Sequence, residues 1–581
     1  MGAATRKNAK GLAAALVVFA ALTTSVVVAQ VVEPCDLGSN GNYSGTYPTV
    51  SQQSAYEIAP QEFVELASDF DGARIQMVIL RPIVPEGVKV PVIATAGPYY
   101  HALKTLDVRA CEPFLTENFV GQGFAVAVIS VRGTGDSGGC MNMMGPGERS
   151  DLNQVITYLG TAPWSTGSVG MFGQSYDGGT QWEAASFGNP HLKTIVPIEG
   201  VPDLFELLYG QGRVDWRGPA LINDIYYAQT IASFSIGRPP LHTVEATACP
   251  EYVTGSAAGL YSAVNKTPDP YGYWNARRYR DEILQKYRGS VYLVQGLQDW
   301  NVEPSLQYPW IWELESRGVT VKYLIGQWGH ARPYSDGGRQ DWADVLLRWY
   351  DRWLRDPSTP TGSVYEIEDA DAGWRKADAW PDGTARTFWM EPDEQLAASP
   401  SATPSRAPVW LDPFHTQAGY DTDLPPGPLA GVCLPGSCAR FASEPAAQDT
   451  RFGGIPDVSL TVTPLGPGGQ LSVYVYEDTG GKLQRLGWGQ VDLRFVESDD
   501  PTPITPGTLM TARFSLEPLD VVLHAGSRLV VMVSGGTTGD LLPTVPNFPV
   551  QLETGGGTSS LTLTTVEPDP SDFFDPPRRA D

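Results

Sequence analysis

A short apolar run, residues 169–172, breaks into Gly173-Gln174-Ser175-Tyr176-Asp177-Gly178 and then into a helix-compatible segment. Strand, sharp turn and helix in that order read as a nucleophile elbow of the G-x-S-x-G kind. The flanking glycines are needed because a Cβ at either would run into the strand or the helix that the turn joins. Such a turn lifts a serine Oγ above the edge of a sheet and sets its backbone at a helix N-terminus, where partial positive charge favours an anion. It also demands a buried strand before it and a helix after it, which commits the chain to a layered α/β core.

The surrounding pattern agrees. Residues 75–80, 92–96, 124–130, 291–295 and 319–325 are short, apolar and rich in β-branched side chains, as buried strands are. Residues 151–159, 181–187 and 303–316 carry helical spacing. The alternation predicts βαβ units and a mostly parallel sheet. Residues 201–288, rich in Tyr, Arg and Pro, break this rhythm and read as a largely helical cap inserted over the sheet. Beyond residue 365, short alternating runs recur between Gly and Pro clusters, which predicts an antiparallel β-sandwich of the jelly-roll type. The expected organisation is an α/β domain at 30–200 and 289–364, the cap at 201–288, the sandwich at 365–567 and a flexible tail at 568–581.

Arg6, Lys7 and Lys10 precede an uncharged apolar stretch, and Val27-Val28-Ala29 offers small residues for cleavage before Gln30. Residues 1–29 are therefore expected to be a signal peptide, and the protein to be exported with no membrane span after cleavage near Ala29. Six cysteines suit an oxidising compartment. Cys433 and Cys438 can close a tight loop, whereas Cys35, Cys111, Cys140 and Cys249 allow three pairings that the sequence leaves open. Forty basic residues against 65 acidic give a formal charge of −25, which argues against a nucleic-acid partner. No clustered His/Cys spacing suggests a metal, and neither metal nor organic cofactor is expected. Whether the chain forms a homo-oligomer is left open.

A serine hydroxyl needs a base, and the order in an α/β-hydrolase is Ser, acid, His. His330 lies in a Gly-punctuated loop directly after the strand at 319–325, where open α/β sheets place their chemistry. Asp299 stands at the exit of the strand at 291–295 and is positioned to orient the imidazole. His191, in Asn189-Pro190-His191, reads as a surface residue. Gly135-Asp136-Ser137-Gly138-Gly139 spells a protease-like motif, but only His101 lies upstream of it, and Ser137 reads as part of a loop.

The phrases Gly-Gln-Ser175-Tyr176-Asp-Gly, Gly296-Leu-Gln-Asp299-Trp300-Asn301-Val302 and Gly-Gln-Trp328-Gly-His330 together resemble the Xaa-Pro dipeptidyl-peptidase family. That family groups with the cocaine-esterase-like and α-amino-acid ester hydrolases. The likeness spans residues 50–565 and extends to the order of parts: α/β-hydrolase core, cap, jelly roll. It implies a serine peptidase that releases N-terminal dipeptides through an acyl-enzyme on Ser175, acting on a peptide or small acyl substrate. It also implies an oxyanion hole made by the Tyr176 N–H and the hydroxyl of Tyr99, with Tyr100 of the same doublet as the other candidate. The ester hydrolases carry acidic residues after the triad acid, where this chain has Trp300, Asn301 and Val302. Glu199 and Asp203, with Glu206, are candidates to hold a substrate amine, with plain surface charge as the competing reading. Trp300 and Trp328 are candidate pocket walls. An acyl-ester or amide hydrolase on the same machinery is the near alternative. A carbohydrate- or surface-binding protein built on a decayed hydrolase is the distant one, and the complete set of Ser175, Asp299 and His330 argues against it.

Overall fold

The computed structural model describes residues 47–100, 107–141, 143–201, 203–209, 249, 254, 272–299, 301–335, 338–369, 373–410, 433–498, 501–536 and 547–576. Strands β1 (Glu62–Ala67), β2 (Arg74–Leu80), β3 (Val90–Gly97), β4 (Ala125–Ser130), β5 (Ser165–Gln174), β6 (Leu192–Ile198), β7 (Ser290–Gly296), β8 (Val321–Gly326), β9 (Tyr365–Asp369) and β10 (Gly373–Ala377) form one sheet in the order β1-β2-β4-β3-β5-β6-β7-β8-β9-β10. From β4 to β9 every pairing is parallel. The β1–β2 and β2–β4 pairs at one edge are antiparallel, as is β9–β10 at the other.

Every residue of β3, β4 and β7 is buried, so both faces of the sheet need cover. Helices α1 (Pro113–Phe119), α2 (Pro146–Thr161), α3 (Tyr176–Ala185), α4 (Tyr308–Ser316) and α5 (Trp342–Leu354) provide it. Met77, Ile79 and Ala94 point to the face packed by Leu152 of α2, Trp182 of α3 and Ile311 of α4. Val78, Leu80 and Ile93 point the other way, toward Phe114 of α1 and Trp342 and Leu346 of α5. Parallel strands with right-handed helical crossovers bring all their C-terminal ends to one rim.

Residues beyond β10 build a second, thirteen-stranded sheet that is antiparallel except where Gln395 meets Ala442, around a core that includes Leu460, Val473 and Val531. The runs expected as strands at 386–390, 458–463, 471–476, 510–514, 528–534 and 561–566 all lie within its strands.

Two boundaries differ from expectation. β9 and β10, assigned to the sandwich from sequence, extend the α/β sheet instead. Residues 568–576 are not a free tail, because Phe573 and Phe574 pair with Arg375 and Trp374 and close that sheet's edge. Short alternating runs fix that a segment is a strand but not which sheet it joins. Of the expected cap, the helices Leu204–Tyr209 and Arg280–Lys286 and the turn Asn275–Arg277 are described, and the signal segment, Cys35 and most of 201–288 lie outside the described residues. A disulfide joins Cys140, in the loop after β4, to Cys249 of the cap segment, and Cys433 pairs with Cys438. Cys111 is also disulfide-bonded.

Phe574 packs on the α5 side of the sheet, its ring centroid 5.0 Å from Lys376 Nζ and 5.8 Å from the Arg339 guanidinium. Phe574→Ala is expected to lower stability by about 1–2 kcal/mol, less than a fully buried phenylalanine because the ring is half-exposed. Urea unfolding measures this, and an unchanged midpoint would mean that the chain end adds nothing to the sheet.

Candidate active site

Ser175 sits between β5 and α3 with φ 59° and ψ −121°, a strained conformation for a residue with a Cβ. Its N–H donates to the Ile198 carbonyl at 3.0 Å, and its carbonyl accepts from the N–H groups of Gly178 and Gly179 at 3.0 and 2.9 Å. The turn departs from the five-residue elbow pattern, because its second glycine stands at 178 with Asp177 in the intervening place. A Cβ on Gly178 would lie 2.4 Å from Gly200 Cα, and one on Gly173 would lie 2.5 Å from Asp177 Cβ. The glycine is therefore required where α3 crosses the loop after β6.

The acid and the base come from the next strand ends. Asp299 follows β7 and is buried. Its Oδ1 accepts from the N–H groups of Asn301 and Val302 at 2.8 and 2.9 Å, and its Oδ2 lies 2.9 Å from His330 Nδ1. His330, in the loop after β8, therefore has Nδ1 committed to the carboxylate, which leaves Nε2 as the nitrogen for proton transfer.

Glu199, the residue after β6, stands in the same cluster. It is fully buried, and its Oε2 accepts from Gln174 Nε2 at 3.0 Å and lies 3.3 Å from His330 Nδ1. Its Oε1 accepts from Trp328 Nε1 at 2.8 Å. Burial first, then the negative charge of Asp299, holds the Glu199 carboxyl well above the usual carboxylate range. Gln174 is the neighbour of Ser175, so Glu199 bridges the elbow to the imidazole. Ser175, Asp299 and His330 thus share the rim formed by the ends of β5, β7 and β8.

The tyrosine doublet after β3 divides. Tyr100 is buried, and its hydroxyl donates to Asp177 Oδ2 at 2.7 Å and lies 2.9 Å from Thr95 Oγ1. The close approach of Asp177 also requires Gly97, where a Cβ would stand 1.6 Å from Asp177 Oδ1. Tyr99 is half-buried and meets the Tyr176 ring edge-on, with centroids 6.5 Å apart. The Tyr176 side chain points away from the rim, its hydroxyl donating to Glu148 Oε2 at 3.0 Å, while its N–H opens helix α3 beside Ser175.

The other sequence candidates take different places. Glu199 is not an amine anchor facing a pocket, since it is buried with its oxygens on Gln174 and Trp328 and beside His330. Asp203 is likewise buried, where it accepts from the Glu206 and Tyr279 N–H groups at 3.3 and 3.2 Å and ties the Leu204–Tyr209 helix to the segment before Arg280–Lys286. Glu206 lies 3.7 Å from Arg278. Trp328 is half-buried, with its indole N–H on Glu199, and Trp300 lies outside the described residues. Ser137 is buried, donating to the Ser130 carbonyl at 2.7 Å and accepting from Gln76 N at 2.9 Å, which is a structural role for the protease-like motif. His191 Nδ1 pairs with the Gly167 carbonyl at 2.9 Å. Among the described residues, Glu199, Asp299 and His330 are the group whose atoms lie close enough together to hold a metal ion, and Asp299 and His330 are hydrogen-bonded to each other at 2.9 Å.

Sequence reading missed a buried acid pair behind the elbow. Glu148 on α2 and Glu183 on α3 face each other beneath Tyr176. Burial pushes Glu148 up to about 7, and burial with the Glu148 charge raises Glu183 strongly. Their only sequence signal is an acidic residue on the inward face of an otherwise apolar helix.

The model of the X-Pro dipeptidyl-peptidase S15 family matches residues 71–332, and that of the X-Pro dipeptidyl-peptidase C-terminal non-catalytic domain matches residues 357–555. A putative Xaa-Pro dipeptidyl-peptidase of Streptomyces avermitilis is 26% identical over 85% of this chain and 82% of its own length. Among solved structures, an aminopeptidase from a marine sediment archaeon superposes over 91% of this chain and 99% of its own with a TM-score of 0.69 at 16% identity. A CocE/NonD family hydrolase of Staphylococcus aureus gives 0.67 over 91% and 99%, also at 16%. These two likenesses concern the fold. Among the described residues no helix is long and apolar enough to cross a membrane.

The acid pair makes stability depend on pH. Glu148 binds its proton more tightly folded than unfolded, so its contribution to stability is greatest below its ordinary value of 4.5 and declines as pH rises toward about 7. At about 1.4 kcal/mol per pKa unit the loss reaches at most about 3–4 kcal/mol. Glu148→Gln keeps an acceptor for Tyr176 and should flatten that decline, read as the difference between variant and parent in denaturant unfolding at pH 5 and pH 7.5. Parallel curves would show that Glu148 does not carry the proton.

Proposed function

The chain belongs to the S15 family of X-Pro dipeptidyl-peptidases and is a serine hydrolase of that family; from that premise we propose that it releases N-terminal dipeptides ending in proline from peptide substrates. Ser175 Oγ attacks the carbonyl of the penultimate residue while His330 Nε2 takes its proton. The tetrahedral oxyanion collapses to an acyl-enzyme as Nε2 returns the proton to the leaving amine. Water then repeats the sequence and frees the dipeptide. Asp299 holds the Nδ1 proton and stabilises the imidazolium. Tyr99, whose neighbour Tyr100 is tied to Asp177, joins the Tyr176 N–H as an oxyanion donor.

The observation that carries this reading is the 2.9 Å bond between Asp299 and His330 on the rim that also holds Ser175 in its strained turn. The chain acts after export: the basic and apolar pattern of residues 1–29 and the Cys140–Cys249 and Cys433–Cys438 disulfides support an oxidising compartment. One observation favours the ester or amide hydrolase reading. Glu199 and Asp203, the carboxylates that the sequence offers for a substrate amine, are both buried and engaged.

Turnover of Gly-Pro-p-nitroanilide against short p-nitrophenyl esters separates the two. Anilide hydrolysis that falls at least about 10³-fold in Ser175→Ala is expected. Ester turnover without anilide activity would reject the peptidase assignment and leave the hydrolase intact.

Tyr99→Phe should lower kcat by about 10²–10³-fold with little change in KM. Tyr100→Phe should instead cost about 1–3 kcal/mol in stability by stranding Asp177, with kcat within about tenfold. The reverse pattern would transfer the oxyanion role to Tyr100.

A further inference from the structure

The cluster beneath His330 contains one carboxyl more than a serine, histidine and aspartate relay uses. Glu199 leaves the end of β6 with φ 46°, in the left-handed region that a residue with a Cβ avoids, and its N–H is fixed by the Val294 carbonyl of β7 at 2.9 Å. That backbone aims the side chain inward, under the imidazole, instead of letting it reach solvent past the strand end. The hydrogen-bond donors found on it among the described residues are neutral: Gln174 from the end of β5, Trp328 and the Ala331 N–H from the loop after β8. The charged or titratable groups acting on it are Asp299 from the loop after β7 and His330 from the loop after β8. Among the described residues these named groups include no Lys or Arg, and the imidazolium formed in turnover would bring it a positive charge.

Building on the relay assigned above, we propose that Glu199 is a positioning residue that acts through His330, a second carboxyl acceptor at Nδ1 that shares the imidazole with Asp299 and holds it in the productive tautomer when the Asp299 charge is removed. The distances rank the two. Asp299 at 2.9 Å is the working partner and Glu199 at 3.3 Å the reserve, within a small side-chain rotation of the same N–H. With Asp299 neutral, burial still favours the Glu199 proton but the repulsion that adds to it is gone, so a Glu199 carboxylate forms at lower pH than in the parent. The imidazole then recovers a negative partner on the nitrogen that needs it.

The test compares kcat/KM of Asp299→Asn, Glu199→Gln and the double variant with the parent from pH 5 to pH 9, using whichever chromogenic substrate the parent turns over. Each variant is checked for folding by thermal unfolding. Glu199→Gln keeps shape and hydrogen-bond capacity and should cost about tenfold or less. Asp299→Asn should retain a residual rate that climbs with pH, and adding Glu199→Gln should remove both the climb and at least a further tenfold. A purely structural role for Glu199 would leave the pH profile of Asp299→Asn unmoved. The proposal is overturned if the double variant matches Asp299→Asn at every pH, or if Asp299→Asn alone is as inactive as Ser175→Ala. Activity surviving in Ser175→Ala would instead overturn the assignment of the nucleophile.

Discussion

The hydrogen bond between Asp299 Oδ2 and His330 Nδ1, 2.9 Å long, sets the demands that the rest of the core meets. Neither partner belongs to a strand. Each rides a loop, so their meeting requires β7 and β8 to be adjacent, parallel and in register to their last residues, with Gly296 opposite Gly326. Both positions are glycine for a steric reason. A Cβ on Gly326 would lie 1.5 Å from the Trp328 ring, and one on Gly296 would lie 2.2 Å from the Trp328 carbonyl. The tryptophan folds back across the strand ends, sets its N–H on Glu199 and turns the following residues so that the imidazole points across the rim. Larger residues at either strand end leave it no room to do so.

The C-terminal β domain holds the same loops from outside. Gln327, in the base loop, donates to the Asp520 carbonyl at 2.8 Å and accepts from Gln298 of the acid loop at 2.9 Å. Ser305, just beyond the acid loop, donates through its N–H and hydroxyl to Glu517 at 2.9 and 2.6 Å. The Asp520 carboxylate is buried against Arg375 and Trp380 Nε1, with Arg451 3.6 Å away. Buried charge pairs of this kind add little net stability, but removing one partner costs about 3–5 kcal/mol, so they fix relative position firmly. A domain that supplies none of the assigned catalytic groups still bears on how acid and base face each other.

The central strands were legible because burial on both faces leaves an unbroken apolar run that few other elements can imitate. The elbow was legible because its turn admits so few residues, and the pairing of Asp299 with His330 because both follow such runs. What escaped was set by long-range contact. The carboxyl of Glu199 looked like a pocket charge because nothing in Ile198-Glu199-Gly200 reveals that the backbone turns to positive φ and drives the side chain under a histidine 131 positions away in sequence. Tyr100 and Tyr99 are equivalent as letters, and only the buried Asp177 distinguishes them. β9, β10 and the strand at Phe573–Phe574 carry the alternation of any edge strand, and their membership of the α/β sheet depends on where the chain returns.

Glu199 also bears on how the site keeps a usable base. A formal charge of −25 counts every carboxyl as ionised, yet Asp177, Glu183 and Glu199 are all buried and raised well above the carboxylate range, chiefly by loss of water. The interior around the elbow is thus less negative than the composition states. Each further negative charge beside His330 raises the imidazole's affinity for a proton. Asp299 supplies one such charge and has two backbone N–H groups to steady it. Glu199, buried and next to that charge, is biased toward its protonated form. The imidazole therefore has beside it one carboxylate steadied by backbone N–H groups and one carboxyl that burial and the neighbouring charge bias toward its protonated form.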